Sequence, residues 1–289
     1  MNQKMLSDKV ISMEYGIGSY TYTWMVKKNL DAGEGLISVA KKLVDKAVES
    51  NLKLVQICDN LPLHEFSEND LRELGRYCEE LMIKLQIGTR GLYREHLKRY
   101  LHITDLCGAR LVRTMCPDLR GNETDAKTAI NELRASADDY ESSGVYIAIE
   151  NHDKNSSEEL ASIIKETASE NIRLCLDTVN SFAALESPEY TIKNMLPYTI
   201  NIHLKDFDVV RVNNQMGFSI EGRPLGEGRL EKYMKTLVDS GAGDAIIELW
   251  TPLHGNIDDT INIEAEWARK SVEYVKNTFQ KGERYASGT

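Results

Sequence analysis

Four runs decide how this chain is read: 145-VYIAIE-150, 172-IRLCLD-177, 199-TINIHLKD-206 and 245-AIIELW-250. Each is short and apolar, and each carries at or near its C-terminal end one metal-ligating side chain: Glu150, Asp177, His203 and Glu248. Side chains alternate across a β-strand, so residues two apart share a face. Val145, Ile147 and Ile149 oppose Tyr146, Ala148 and Glu150, and Ile172, Leu174 and Leu176 oppose Arg173, Cys175 and Asp177. Ile200, Ile202 and Leu204 oppose Asn201, His203 and Lys205, while Ala245, Ile247 and Leu249 oppose Ile246, Glu248 and Trp250. All four ligating residues fall on the mixed face.

The spacing of these residues extends the pattern along the chain. Glu150 to Asp177 is 27 residues and Asp177 to His203 is 26, each one strand–helix repeat; His203 to Glu248 is 45, a repeat plus the stretch 207–226. Strands are expected at 15–22, 53–58, 84–90, 109–116, 145–150, 172–177, 199–205 and 244–250. Amphipathic helices are expected at 36–50, 68–82, 94–106, 123–143, 157–169, 188–196, 228–240 and 260–278. Eight such units in roughly 275 residues match a single-domain α/β fold, the (β/α)₈ TIM barrel, over 1–289. The alternative is a doubly wound sheet, but no GxGxxG follows the first strand and no Walker A loop occurs. Residues 207–226 read as a long loop, a kind that is usually functional, and 281–289 as a loose tail.

Composition narrows the function. The net charge of −10 argues against a nucleic-acid partner, because phosphate neutralisation needs a basic surface. No apolar stretch reaches about 18 residues, and the N-terminus lacks an apolar signal core, so neither membrane insertion nor export is expected. Cys58, Cys78, Cys107, Cys116 and Cys175 form no CxxC pair and read as free thiols in a cytoplasmic protein.

Three carboxylates and one imidazole suit one divalent ion, Mn²⁺ ahead of Mg²⁺, Co²⁺ or Zn²⁺. In a barrel, strand-end residues of successive units converge at the C-terminal mouth, where barrel enzymes place their chemistry. A lone strand-end carboxylate is more often a cap or a surface charge. Four such residues of one parity in consecutive units are harder to assign that way. The same parity puts Gln56, Gln86, Arg90 and Arg113 on the lumen face.

The segments IAIENHD (147–153), LCLDTVNS (174–181), NIHLKD (201–206), GRPLGEG (222–228) and IIELW (246–250) resemble the xylose isomerase-like (endonuclease IV-like) barrels, particularly their sugar isomerase/epimerase branch. The resemblance implies that Glu150, Asp177, His203 and Glu248 bind the metal, with Glu150 and Glu248 also serving as the catalytic acid/base pair. It implies isomerisation or epimerisation of a small carbohydrate or other polyhydroxy carbonyl compound through a stabilised enediolate. Such a family also leaves a homo-oligomer open. Ketohexose 3-epimerases carry a Glu six residues past the first ligand and a His three past the Asp; here those positions hold Ser156 and Asn180. The rival reading is a metal-dependent lyase or dehydratase on an inosose, 3-oxo-sugar or 3-oxo-glycoside; a remote one is a non-catalytic binding subunit. With six histidines and an acidic profile, the three-zinc chemistry of DNA repair is not expected.

Further substrate contacts are expected from His152, Asn180, Lys205, Arg223, Trp250 and Arg113. Each has a plainer reading: a loop cap for His152, salt bridges within the mouth for Lys205 and Arg113, a loop brace for Arg223. Tyr20, Tyr22 and Trp24 cluster after the first strand and either floor the mouth or pack there. Asp206, turned away by parity, is expected to orient His203 from behind.

Overall fold

In the computed structural model, backbone is described for residues 13–286 and side chains for 13–278. Strands and helices alternate: β1 (Tyr15–Gly18), α1 (Thr23–Asp31), α2 (Leu36–Glu49), β2 (Leu54–Ile57), α3 (Glu68–Glu80), β3 (Lys84–Gly88), α4 (Arg94–Cys107), β4 (Leu111–Met115) and α5 (Ala126–Ser143). They continue with β5 (Tyr146–Glu150), α6 (Ser157–Thr167), β6 (Ile172–Asp177), α7 (Pro188–Met195), β7 (Thr199–Leu204), β8 (Asp206–Val212), β9 (Gly217–Arg223), α8 (Glu231–Ser240), β10 (Asp244–Ile247) and α9 (Ile257–Ala286). The strands β1-β10-β7-β6-β5-β4-β3-β2 close into a parallel barrel, while β8 and β9 form a separate antiparallel hairpin. This is the expected TIM barrel. No helix among the described residues is long and apolar enough to cross a membrane.

Parity in the strands becomes two layers of packing. Ile147, Ile149, Leu174, Leu176, Ile202 and Ile247 join the large core between sheet and helices. Inside the barrel, Ala148 and Cys175 pack with Leu111 in a small separate cluster that Ile200 also joins, contrary to simple alternation, where the β6–β7 register shifts at Leu174/Cys175. Above that plug the lumen turns polar, and there the candidate ligands begin. Helix starts follow the usual chemistry: Ser67 and Asp70 form a capping box on α3, and Asp125, Ser156 and Ser187 each accept a backbone N–H of their own helix.

Three segments differ from their sequence reading. The first strand ends at Gly18, and 23-TWMVKKNLD-31 is a helix that local signals hide, because its N-cap residue Tyr22 makes no side-chain cap. Two N–H groups of its first turn instead donate to Glu264, 240 and 239 residues away: Trp24 N at 2.8 Å and Met25 N at 3.1 Å. The stretch 207–226 is largely ordered hairpin, paired from Asp206↔Arg223 to Val212↔Gly217. Of the stretch 281–289, the last helix includes residues up to Ala286, and 287–289 lie outside the described residues.

Candidate metal centre and active site

At the C-terminal ends of the strands lies a cavity of about 760 Å³. Its lining includes Tyr20, Arg90, Glu150, Asn180, Lys205 and Trp250. A larger cavity, about 970 Å³, opens at the opposite end beneath β3 and β4 and contains none of the four ligand candidates. Barrel enzymes work at the strand C-termini, so position decides between the two rather than volume.

Glu150, Asp177, His203 and Glu248 are all essentially inaccessible. His203 Nδ1 lies 3.5 Å from Glu150 Oε2, 3.9 Å from Asp177 Oδ2 and 3.2 Å from Glu248 Oε1. His203 Nδ1 and Glu248 Oε1 have no hydrogen-bond partner among the described residues, while the Glu150 and Asp177 oxygens are held in ion pairs with Arg113 and Lys205. Ligand atoms about 2.1 Å from a tetrahedral ion stand about 3.4 Å apart, so the three distances from Nδ1 suit a shared cation. Ligand atoms of Asp177, His203 and Glu248 all lie within 4.8 Å of one another, and Glu150 joins His203 in a second such group with Cys175. Two of the carboxylates are also aimed from behind. Asp177 Oδ1 accepts the N–H groups of Val179 and Asn180, both at 2.8 Å, and Asn180 Nδ2 donates to Glu150 Oε1 at 2.7 Å.

His203 is oriented by Gln56, not by Asp206. The Nε2 atom lies 2.7 Å from Gln56 Oε1. The Gln56 amide nitrogen donates to Gln86 Oε1 and Asn201 Oδ1, each at 3.0 Å, so its oxygen is the end that faces His203. That arrangement puts the ring proton on Nε2 and leaves Nδ1 for the centre. Asp206 instead clasps the chain beyond the hairpin. Its carboxylate accepts N–H groups from Phe207, Gly226, Gly228 and Leu230 at 2.8–3.0 Å. A side chain at Gly228 would collide with that carboxylate.

Cations surround the quartet. Burial opposes the charge on Lys205, yet Asp177 and Glu248 override it and hold the ammonium well above its usual range. Its Nζ lies 2.7 Å from Asp177 Oδ2 and 3.0 Å from Glu248 Oε2, and 5.6 Å from the centre of the Trp250 ring. Arg113 bridges Asp59 Oδ1 at 2.9 Å and Glu150 Oε2. Burial pushes Glu150 upward, but Arg113 first and His203 second hold its carboxyl well below the usual range. Asp177 is raised, by burial and by Glu150 and Glu248, against the pull of Lys205. For His203 burial favours the neutral ring, but Glu248 and Glu150 raise it, so a proton and a cation compete for Nδ1.

The remaining expected residues divide. His152 and Trp250 line the cavity, with His152 Nδ1 3.0 Å from Asp153. Asn180 touches Glu150, and Lys205 is the salt-bridged cation just described. Arg223 stays on β9, bound to Glu221 at 3.1 Å and to the carbonyl of Gly222, and is not part of the cavity wall. Tyr20 and Trp24 line the cavity, whereas Tyr22 is in the core. Ser156, where a ketohexose epimerase has Glu, caps α6. Cys175 lies among the donors, within 4.8 Å of ligand atoms of Glu150 and His203. Burial pushes its thiol up, and it donates to Asn201 Oδ1 at 3.3 Å.

Sequence reasoning missed Asp59 altogether. Its carboxylate accepts from Arg113 at 2.9 Å, from Arg90 Nε at 2.8 Å and from the Tyr20 hydroxyl at 3.1 Å. Burial raises it, but the two guanidinium groups bring it below the usual carboxylate value. The residue lies beyond the end of β2 in a turn, where strand parity carries no information.

Comparison with known proteins agrees with this architecture. Residues 44–278 match the family model described as xylose isomerase-like TIM barrel. The 3-oxo-isoapionate decarboxylase of Pectobacterium atrosepticum is 27% identical over 266 residues, covering 91% of this chain and 95% of the relative. The D-psicose 3-epimerase of Clostridium cellulolyticum H10, solved with D-tagatose, superposes with a TM-score of 0.63 at 16% identity, over 92% of this chain and 99% of that one. A xylose isomerase-like TIM barrel protein from Mycobacterium smegmatis, in complex with magnesium, gives 0.60 at 15%, over 82% and 89%. At such identities the structural likeness speaks to fold alone.

Proposed function

Because this chain belongs to the xylose isomerase-like TIM barrel family, we propose that it is a divalent-metal-dependent lyase acting on a small 3-oxo sugar acid, with the whole chain as one catalytic unit. The observation that carries the lyase reading is the state of Glu150. Epimerisation by a carboxylate pair asks each carboxylate to take up and return a proton. A carboxylate whose two oxygens are already engaged by a guanidinium and an amide is poorly placed to do so. Arg113 and Asn180 occupy Glu150 in the way that suits a permanently ionised ligand.

Loss of a carboxylate needs no such base. The C–C bond to the carboxyl group breaks, its electron pair moves toward the neighbouring carbonyl oxygen, carbon dioxide leaves and a proton returns to carbon. When bound by Glu150, Asp177, His203 and Glu248, a divalent ion supplies Lewis acidity toward the oxo group. Lys205 remains cationic beside Glu248 and adds a fixed positive charge on the same side, while Trp250 provides an apolar wall. The long match to a curated decarboxylase points the same way. Loss of water from an inosose, or of the glycosidic group from a 3-oxo-glycoside, first needs a base for the α-proton and is disfavoured by the same engagement of Glu150.

A second reading, isomerase or epimerase, is favoured by the approach of both Glu150 and Glu248 to one centre, 3.5 and 3.2 Å from His203 Nδ1. The two part in heavy water. Incubating Mn²⁺-loaded protein with a panel of 3-oxo sugar acids and ketoses, the lyase releases carbon dioxide and leaves one deuterium in the product. An epimerase puts deuterium into the substrate pool with no loss of mass formula, and that result would displace the lyase reading. At 100 times Kd, Mn²⁺ is expected to stabilise the protein by about 2.7 kcal/mol. No change in Tm with Mn²⁺ or with EDTA would instead favour a binding subunit without metal.

A further inference from the structure

On the β3 side of the mouth, Arg90 differs from the other two cations. Arg113 is spent on Asp59, Glu150 and the carbonyl of Thr89, and Lys205 on Asp177 and Glu248. Arg90 is bound through Nε alone, 2.8 Å from Asp59 Oδ2. Its two terminal amino groups make no hydrogen bond among the described residues, and the residue lines the cavity. A guanidinium fastened end-on by Nε leaves the planar fork that matches a carboxylate with two parallel hydrogen bonds.

Charge supports the same assignment. Four enclosed carboxylates, Asp59, Glu150, Asp177 and Glu248, face three cations, Arg90, Arg113 and Lys205; Asp153 at the rim is solvent-exposed. Addition of a dication to the neutral-His203 form leaves this set with one positive charge in excess, which suits a monoanionic ligand. We propose that Arg90 is the substrate-binding residue that receives the carboxylate of the sugar acid and so selects acids over neutral sugars. Asp59 offsets much of the guanidinium charge. The fork therefore fixes the direction of the carboxyl group, and of the bond that breaks, without strongly stabilising the intact acid.

The inference rests on the acid-lyase reading, and one set of binding titrations separates the two. Mn²⁺-loaded wild type and Arg90→Gln are titrated calorimetrically with threonate, a four-carbon sugar acid, and with threitol, its neutral counterpart. Mn²⁺ affinity of each protein is measured alongside. Wild type is expected to bind threonate at least tenfold more tightly than threitol, and Arg90→Gln to lose that advantage with Mn²⁺ affinity unchanged. Threonate binding that survives in Arg90→Gln would overturn the role of Arg90. Wild type that binds threonate no better than threitol would overturn the acid reading itself. A change in Mn²⁺ affinity in the variant would make Arg90 a brace for the metal centre instead.

Discussion

The two halves of the barrel mouth are built on different principles. The half formed by β5, β6, β7 and β10 carries the four candidate metal donors, each within a residue of a strand end and each of the same parity. The half formed by β1 to β4 carries Tyr20, Asp59, Arg90 and Arg113, joined by contacts between residues 31 to 54 apart in sequence. One half is set by strand geometry. The other is set by charge satisfaction, and it reaches the donors through the ion pair of Arg113 with Glu150.

The sharpest way to break this division is Asp59→Ala. It leaves Arg113 and Arg90 without their shared carboxylate, and breaking a buried ion pair typically costs 3–5 kcal/mol, about 3 kcal/mol being expected here. Urea unfolding should register that loss while Mn²⁺ still binds. A loss below about 1 kcal/mol would mean that the arginines find other partners.

Glu264 offers a test through pH. Burial raises its carboxyl to about 7, against the two N–H donors from Trp24 and Met25, and no cation pairs with it among the described residues. The folded protein therefore binds a proton more tightly than the unfolded chain. Stability should fall as pH rises from about 4.5 to about 7, with the full penalty present above that. Glu264→Gln is expected to be the more stable protein at pH 8, by at most about 3 kcal/mol, and nearly equal to wild type at pH 5. Parallel unfolding curves at the two pH values would show no such crossover if α1 opens locally to hydrate the carboxylate.

Gln56 joins the halves, since it lies on β2 and bonds His203 on β7. Replacing it with Ala should weaken Mn²⁺ binding 10- to 100-fold, the usual effect of removing the partner of a ligating histidine, with a smaller effect on folding. Unchanged Mn²⁺ affinity would mean that packing alone holds the ring.

Legibility follows the same line. Glu150, Asp177, His203 and Glu248 could be read because period-two alternation and repeat spacing are properties of the chain itself. Arg113 could be placed on the lumen face, but its service to Asp59 could not, because Asp59 sits in a turn outside any period. The helix α1 was hidden because its N–H groups are capped from the far end of the sequence. The hairpin was hidden for another reason: 213-NNQM-216 reads as a break, and the alternation on either side is mixed with polar residues. Asp206 shows parity at its limit. The direction was right, yet the partners were the backbone of 207–230 and not the histidine.

That clasp has a consequence for how such a barrel diversifies. Asp206 and Arg223 face each other at the base of the hairpin, with Gly222 pressed so closely on Trp250 that no side chain fits. Everything beyond that base, from Asp208 to Glu221, hangs on a closed ring of backbone bonds. The segment behaves as an interchangeable cassette: lengthening it by residue pairs preserves the pairing register at its root. Ile220 already reaches into the cavity wall, so a new cassette can reshape what enters the mouth while the four donors remain where they are.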